Sequence, residues 1–333
     1  EKAFEMKYIY RMDSKRSSVN IAGSAYHSAL EFFFNGLKSG VFYDIATLQT
    51  VAFDFVDQVP ANAWKLQKTS PTVEESQNKA YKTVSVLLTN FYGEQSIYTD
   101  EIEEVIAVEL YMDEWLHVNG VDIPLPCHLR IDLLVKTKSG KKVMIDHKSK
   151  TSFSDEKDIV FNNGKQAITY VLGYEMATGE TIDEVWFIEN KFSQNKDKTP
   201  QLILFPVVID ENSRKLYELM LYEPLKRMIE AVNNPDYVYL INESDNFTDT
   251  AEINAFWAQT LIAEVEDFNI PDDKKEMIRN RQRKIRDASI VSISPSVIKR
   301  FRQSAASFIQ YDLSNKNMTN SEKIEHILKT FGI

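Results

Sequence analysis

Cysteine is almost absent: Cys127 stands alone in 333 residues. That excludes an intrachain disulfide, a zinc site built on several cysteines and a four-cysteine iron–sulfur cluster. It fits a reducing, cytoplasmic setting. Long apolar runs are missing too. No uninterrupted stretch approaches the roughly 20 residues that a bilayer span needs, so no membrane association is expected. The chain has no Gly-x-x-x-x-Gly-Lys-Ser/Thr phosphate loop, which leaves any ATP-driven motor to a separate protein. Internal repeats and low-complexity tracts are lacking. Positive charge is in deficit, with a formal net charge of −10. This argues against a polycation-like coat for nucleic acid. It does not argue against a site whose carboxylates hold cations while basic residues cluster elsewhere. The residues given open at Glu1 without a methionine, and no secretory signal is visible.

What is present is ordinary in bulk and unusual in two places. Hydrophobic residues at 43% and charged residues at 26% fit a globular protein with one large domain, or one plus an appendage. Two short apolar, β-prone runs each enclose an acid: Arg130–Val135 around Asp132, and Val143–Lys148 around Asp146. An unpaired carboxylate is costly to bury, so each acid needs a partner. Strand side chains alternate, so Asp146 and Lys148 share a face and His147 points the other way. The turn Lys138-Ser139-Gly140-Lys141 is short enough for a hairpin, which brings Asp132 to the same patch. Two carboxylates and an ammonium at one spot suit Mg²⁺ and a phosphodiester. Mg²⁺ prefers a few carboxylates with phosphate and water oxygens, and it offsets charge on the phosphoryl and leaving oxygens. Asp132 and Asp146 are the expected metal ligands. Lys148 would lie beside the attacking water or the scissile phosphate.

Four further positions carry a functional and a plainer reading. Glu109, in the apolar run Val105–Met112, reads as a third acidic ligand or as the solvent side of an alternating strand. Gln166 and Tyr170 are four apart on one helix face, to meet a nucleic-acid backbone or brace Lys148, or simply to make a polar and an aromatic contact. His27, in an otherwise apolar helical segment, is a candidate metal ligand or a satisfied core or surface histidine.

Periodicity predicts helices over about 17–38, 44–56 and 72–93, the last beginning at Ser70-Pro71 as cap and first-turn proline. Strands are expected at Val105–Met112 and at Trp115–Val118, the latter paired with Val121–Ile123 across Asn119-Gly120. The two acid-bearing strands follow, then a helix over 162–178, strands 184–189 and 201–209, and a helix over 211–232. The fold class expected is α/β: a central mixed, largely antiparallel sheet flanked by helices, plus a C-terminal helical region. The expected domains are 1–240, with helices over 17–93 and a core over 104–232, and a helical 245–333. The boundary is placed near 240–250. Three or four helices are expected beyond it, the third starting at Ser294-Pro295 and the last near Asn320.

In order, Gly23 and His27, Glu109, Ile131-Asp132, Ile145-Asp146-x-Lys148 and Gln166-x-x-x-Tyr170 resemble the motifs of the PD-(D/E)XK nuclease superfamily, and of its RecB-type exonuclease branch, which includes CRISPR adaptation nucleases. The opening Phe4–Tyr10 is similar to the segment that often precedes the histidine helix there. The resemblance spans about residues 4–210 and implies a restriction-endonuclease-like core. It implies that His27, Asp132 and Asp146, with the backbone carbonyl of His147, hold Mg²⁺ or Mn²⁺. It further implies that Glu109 and Lys148 are catalytic and that Gln166 and Tyr170 stand near the substrate. Many relatives carry an iron–sulfur cluster; with one cysteine this chain is expected to have none. The function implied is a deoxyribonuclease, an exonuclease acting on DNA ends or single strands in recombination, repair or phage replication. A separate helicase or recombination protein is the expected partner, and the setting is bacterial cytoplasm, or host cytoplasm for a phage-encoded chain. The alternatives are a non-catalytic DNA-end or partner-binding subunit and a structure-specific endonuclease. The basic cluster Lys274, Lys275, Arg279, Arg281, Arg283, Lys284 and Arg286, followed by Lys299, Arg300 and Arg302, reads as a phosphate-tracking surface or as a solvated helix face.

Overall fold

The computed structural model describes residues 13–193, 195, 201–234, 237, 258, 259, 262, 265–267 and 270–292. In chain order these form strand β1 (Asp13–Ser14), helices α1 (Ser18–Lys38), α2 (Ile45–Asp57) and α3 (Val73–Glu94), and strands β2 (Ile102–Val118), β3 (Val121–Thr137) and β4 (Lys142–Lys150). Helix α4 (Gly164–Thr178), strands β5 (Glu184–Lys191) and β6 (Leu202–Val208), helices α5 (Glu211–Asn233) and α6 (Asp272–Ser289) and strand β7 (Ile290–Ser292) follow, with short helical turns between some of them. The chain divides into two units. The larger spans Ser17–Pro60 and Gln67–Ile229; the smaller includes the described residues up to Arg16, Ala61–Leu66 and those from Glu230 onward. The expected boundary at 240–250, the helix starts at Ser294 and Asn320, Phe4–Tyr10 and Lys299, Arg300 and Arg302 lie outside the described residues.

The helices of the larger unit begin where side chains cap them. Ser17 accepts from the Asn20 N–H at 3.3 Å, and Asp44 from the Thr47 N–H at 2.8 Å. The third helix does not start from Ser70-Pro71 as expected. Thr72 is its N-cap, because Glu75 reaches back to the Thr72 N–H while Thr72 accepts from the Glu75 N–H, a reciprocal capping box. Helix α1 buries Ile21, Ala22, Ala25, Tyr26, Ala29, Leu30, Phe33 and Phe34, the stripe its spacing predicts. Each large apolar side chain fully buried there contributes about 1.5–3 kcal/mol.

The sheet of the larger unit has five strands in sequence order, β2-β3-β4-β5-β6. All neighbours are antiparallel except β4 and β5, which run parallel. Helix α4 lies in the crossover between those two, as a parallel pair requires. The result is the mixed, largely antiparallel sheet with flanking helices that the sequence implies. Two strands expected separately, 105–112 and 115–118, are one 17-residue strand. Its partner β3 is equally long and contains Pro124 and Pro126. These prolines are tolerated because β3 pairs with β4 only over residues 133–136, which leaves that side of the preceding stretch without a described strand partner. The Asn119-Gly120 turn has φ of 51° and 76°, the left-handed pair that a two-residue hairpin demands. The helix expected from 162 is preceded by a helical turn, Glu156–Asp158, and a π segment, Ile159–Asn163.

Face assignment follows from contacts. On β4, His147 packs on Phe34 of α1, with ring centroids 5.6 Å apart, whereas Asp146 and Lys148 bond to α4. Helices α1 and α4 therefore cover opposite faces of the sheet. In the smaller unit β1 pairs antiparallel with β7, a strand where only helices were expected.

Candidate metal centre

Three acids form one row across three strands. In the β2–β3 ladder Val108 pairs with Leu133 and Leu110 with Ile131, which brackets Glu109 opposite Asp132. The β3–β4 ladder ends at Leu133 with Ile145, so the next step in register sets Asp132 opposite Asp146. The ladder does not take that step. The His147 N–H bonds to Asp132 Oδ2 at 2.8 Å, so a carboxylate stands where a backbone carbonyl would otherwise pair. The site lies at this fork. Backbone strain marks it as well: Glu109 has φ of 49°, a left-handed conformation that is costly for a residue with a side chain. On β3 the core residues on the α4 side change from Leu129 and Ile131 to Leu134, so the pleat shifts by one position around Asp132.

Asp132 faces the α1 side. Its Oδ2 lies 3.3 Å from His27 Nδ1 and 3.7 Å from His147 Nδ1. Helix α1 comes this close because Gly23 has no side chain: a Cβ there would sit 2.8 Å from Ser149 Oγ. Ligand atoms of His27, Glu109 and Asp132 all lie within 4.8 Å of one another, so these three could hold a metal ion. Asp146 is outside that group and bonds instead toward α4. Its Oδ1 accepts from the Tyr170 O–H at 2.9 Å and from Gln166 Nε2 at 2.9 Å. Gln166 Oε1 in turn accepts from Lys148 Nζ at 3.0 Å. Lys148 Nζ also lies 2.7 Å from Asp146 Oδ2, an ion pair without hydrogen-bond alignment, which leaves that buried oxygen otherwise unbonded. The Ile-Asp-x-Lys and Gln-x-x-x-Tyr residues thus form one connected cluster, and the Gly-x-x-x-His, Glu109 and Asp132 residues the other side of the same fork.

The two aspartates are biased oppositely. Burial disfavours ionisation of Asp132, but contacts with His147 and His27 outweigh it and hold the carboxyl far below its ordinary range. Burial raises Asp146; Lys148 draws it back, and the Asp132 charge adds to the rise. Glu109 is raised by burial and then by Asp132, against the opposing pull of Arg130. Burial alone would favour neutral His27, but Asp132, Asp146 and Glu109 together raise its pKa. Burial and the Asp146 charge raise Tyr170, which therefore serves as a donor. Carboxylates that repel one another around an imidazole are the donor set a hard divalent cation suits, because its charge removes the repulsion.

Sequence reasoning passed over several neighbours. Arg130 is ion-paired to Glu109 and lies 3.9 Å from Glu31. Both had a signal: Arg130 is two residues before Asp132 on one strand, and Glu31 is four after His27 on one helix. Tyr98, whose O–H lies 2.9 Å from His147 Nε2, had none, since it belongs to a helical turn remote in sequence.

No family model and no curated protein matches the chain. Among solved structures it is similar to a "Putative exonuclease" from Eubacterium rectale, with 10% identity, a TM-score of 0.37, and coverage of 62% of this chain and 68% of that one. It is also similar to SSO0001, with 14% identity, a TM-score of 0.27, and coverage of 46% and 64%. Likenesses this slight establish neither family nor activity. No helix among the described residues is long and apolar enough to cross a membrane.

Proposed function

We propose that the chain is a divalent-metal-dependent deoxyribonuclease, an exonuclease working on DNA ends in recombination, repair or phage replication. The observation that carries this is the fork of β3 and β4, where Asp132 meets His27 and Glu109 while Asp146 meets Lys148, Gln166 and Tyr170. The donor set fits Mg²⁺ or Mn²⁺: His27, Glu109 and Asp132 would hold the ion, with Asp146 and the His147 carbonyl as the remaining ligands that the family resemblance implies. Such an ion supplies charge to stabilise the phosphoryl and leaving oxygens and lowers the pKa of bound water. The chain's own residues orient and move protons. Gln166 and Tyr170 fix the Asp146 carboxylate, and Asp146 with Gln166 fixes the Lys148 ammonium. That ammonium faces developing negative charge and can exchange a proton with a water at Nζ. Arg130 pairs with Glu109 and holds its carboxylate at the edge of the site.

The test is end-labelled linear DNA incubated with Mg²⁺ or Mn²⁺. Progressive loss of nucleotides from the ends is expected, slowed about 10²-fold or more in Asp146→Ala and Lys148→Ala. Full activity in either variant overturns the assignment. Cleavage of closed circular DNA would make the chain an endonuclease. Binding without cleavage under every divalent metal would make it a DNA-end-binding subunit.

A further inference from the structure

The outer part of the β2–β3 hairpin has one face in the core and one in solvent. Met112, Leu116, Val118, Ile123, Leu129 and Ile131 point inward, against α4. The alternate positions form an exposed row that starts at the acids. Glu109 opposite Asp132 is followed by Tyr111 opposite Arg130, Asp113 opposite His128, and then Trp115. Tyr111 is 61% and Trp115 60% exposed, although such rings are usually covered. They stand four residues apart on one face, about 13 Å along the strand. The strand edge itself is a poor template for a partner strand. Three register shifts and the left-handed Glu109 break its regularity.

Resting on the nuclease reading above, we infer that this row is a stacking track for single-stranded nucleic acid, leading a strand along the hairpin into the metal centre. Two rings in line with the acids offer flat surfaces to successive unstacked bases, and every base presents such a face. A duplex keeps its bases stacked on each other and would be held through phosphates instead. The row is poorly suited to phosphates, because its basic side chains are already engaged: Arg130 with Glu109, and His128 with Asp113. Tyr111 and Trp115 are the specificity residues, and stacking rather than charge sets the affinity.

The experiment measures binding of a fluorescent oligothymidylate to the full chain by anisotropy in EDTA, where no turnover occurs. Tyr111→Ala and Trp115→Ala should each weaken binding about 5- to 150-fold. Tyr111→Phe and Trp115→Phe, which keep a ring, should stay within about threefold. A blunt duplex should bind equally to all of them. Both alanine sites are exposed, and an unchanged melting temperature confirms the fold. Unchanged oligothymidylate affinity in the double alanine variant overturns the track, as do no affinity in the wild type or an equal loss of duplex binding. Hydrolysis of bis(p-nitrophenyl) phosphate by the wild-type chain reads the nuclease assignment separately, because that diester is too small to span the row. Ring-dependent binding without hydrolysis would keep the track and remove the nuclease.

Discussion

Asp132 and Asp146 are the same residue, on adjacent strands just past the last paired residues of their ladder, yet their surroundings push them apart. Asp132 receives donors: the His147 N–H and the His27 ring hold it ionised. Asp146 is almost fully buried, and its partner Lys148 only partly offsets that burial and the charge of Asp132. The contrast teaches that the fork separates two tasks. One aspartate is kept as a permanent anion, fit to hold a cation with Glu109 and His27. The other is held by a lysine, a glutamine and a tyrosine, so its protonation state depends on that network of contacts.

The largest effect is expected where that linked set is broken. Lys148→Ala should lower kcat on linear DNA by about 10²–10⁴-fold with KM little changed, as read by steady-state assay in Mg²⁺. The next test opposes the two aspartates in the metal-free protein. Asp132→Asn removes a carboxylate that accepts charge-assisted bonds and should destabilise by about 1.5–3 kcal/mol in urea denaturation. Asp146→Asn should raise stability at neutral pH, because it removes the charge that burial and Asp132 disfavour. The pH dependence carries the same opposition. The depressed Asp132 pKa contributes stability above the ordinary carboxylate range, lost as pH falls through its folded pKa; the raised Asp146 pKa costs stability as pH rises through the ordinary range toward its own. Each variant should therefore lose its own limb of the curve of melting temperature against pH in EDTA.

A smaller effect sharpens the Asp132 side. The pKa of His27 is raised, and a ligating imidazole must be neutral, so Mn²⁺ binding should release a proton. Affinity by calorimetry should fall about tenfold per pH unit below that raised pKa and level off above it, and His27→Ala should flatten the slope. The smallest change is expected at Gly23→Ala. Helix propensity favours it by about 1 kcal/mol, while the new Cβ forces Ser149 Oγ aside, so stability should move by less than about 1 kcal/mol.

Much of this was legible in the sequence for identifiable reasons. Asn119-Gly120 announced its turn, since only small or amide residues accept both left-handed positions. Alternation around Asp146 placed Lys148 with it and His147 opposite, and four-residue spacing put Gln166 and Tyr170 on one face of α4. The length of β3 was not legible, because Pro124 and Pro126 speak against a strand unless one knows which side is unpaired. Nor was the left-handed backbone of Glu109, which no local propensity favours. Arg130 escaped because its pairing with Glu109 depends on a register that spans 21 residues of chain.

Crystals soaked in Mn²⁺ and measured at the manganese absorption edge test the central claim most directly. The account predicts an anomalous peak about 2.0–2.3 Å from a nitrogen of His27 and from carboxylate oxygens of Glu109 and Asp132, with Lys148 still on the same side as Asp146. A map with no peak at the fork, or with its strongest peak elsewhere on the chain, would contradict it.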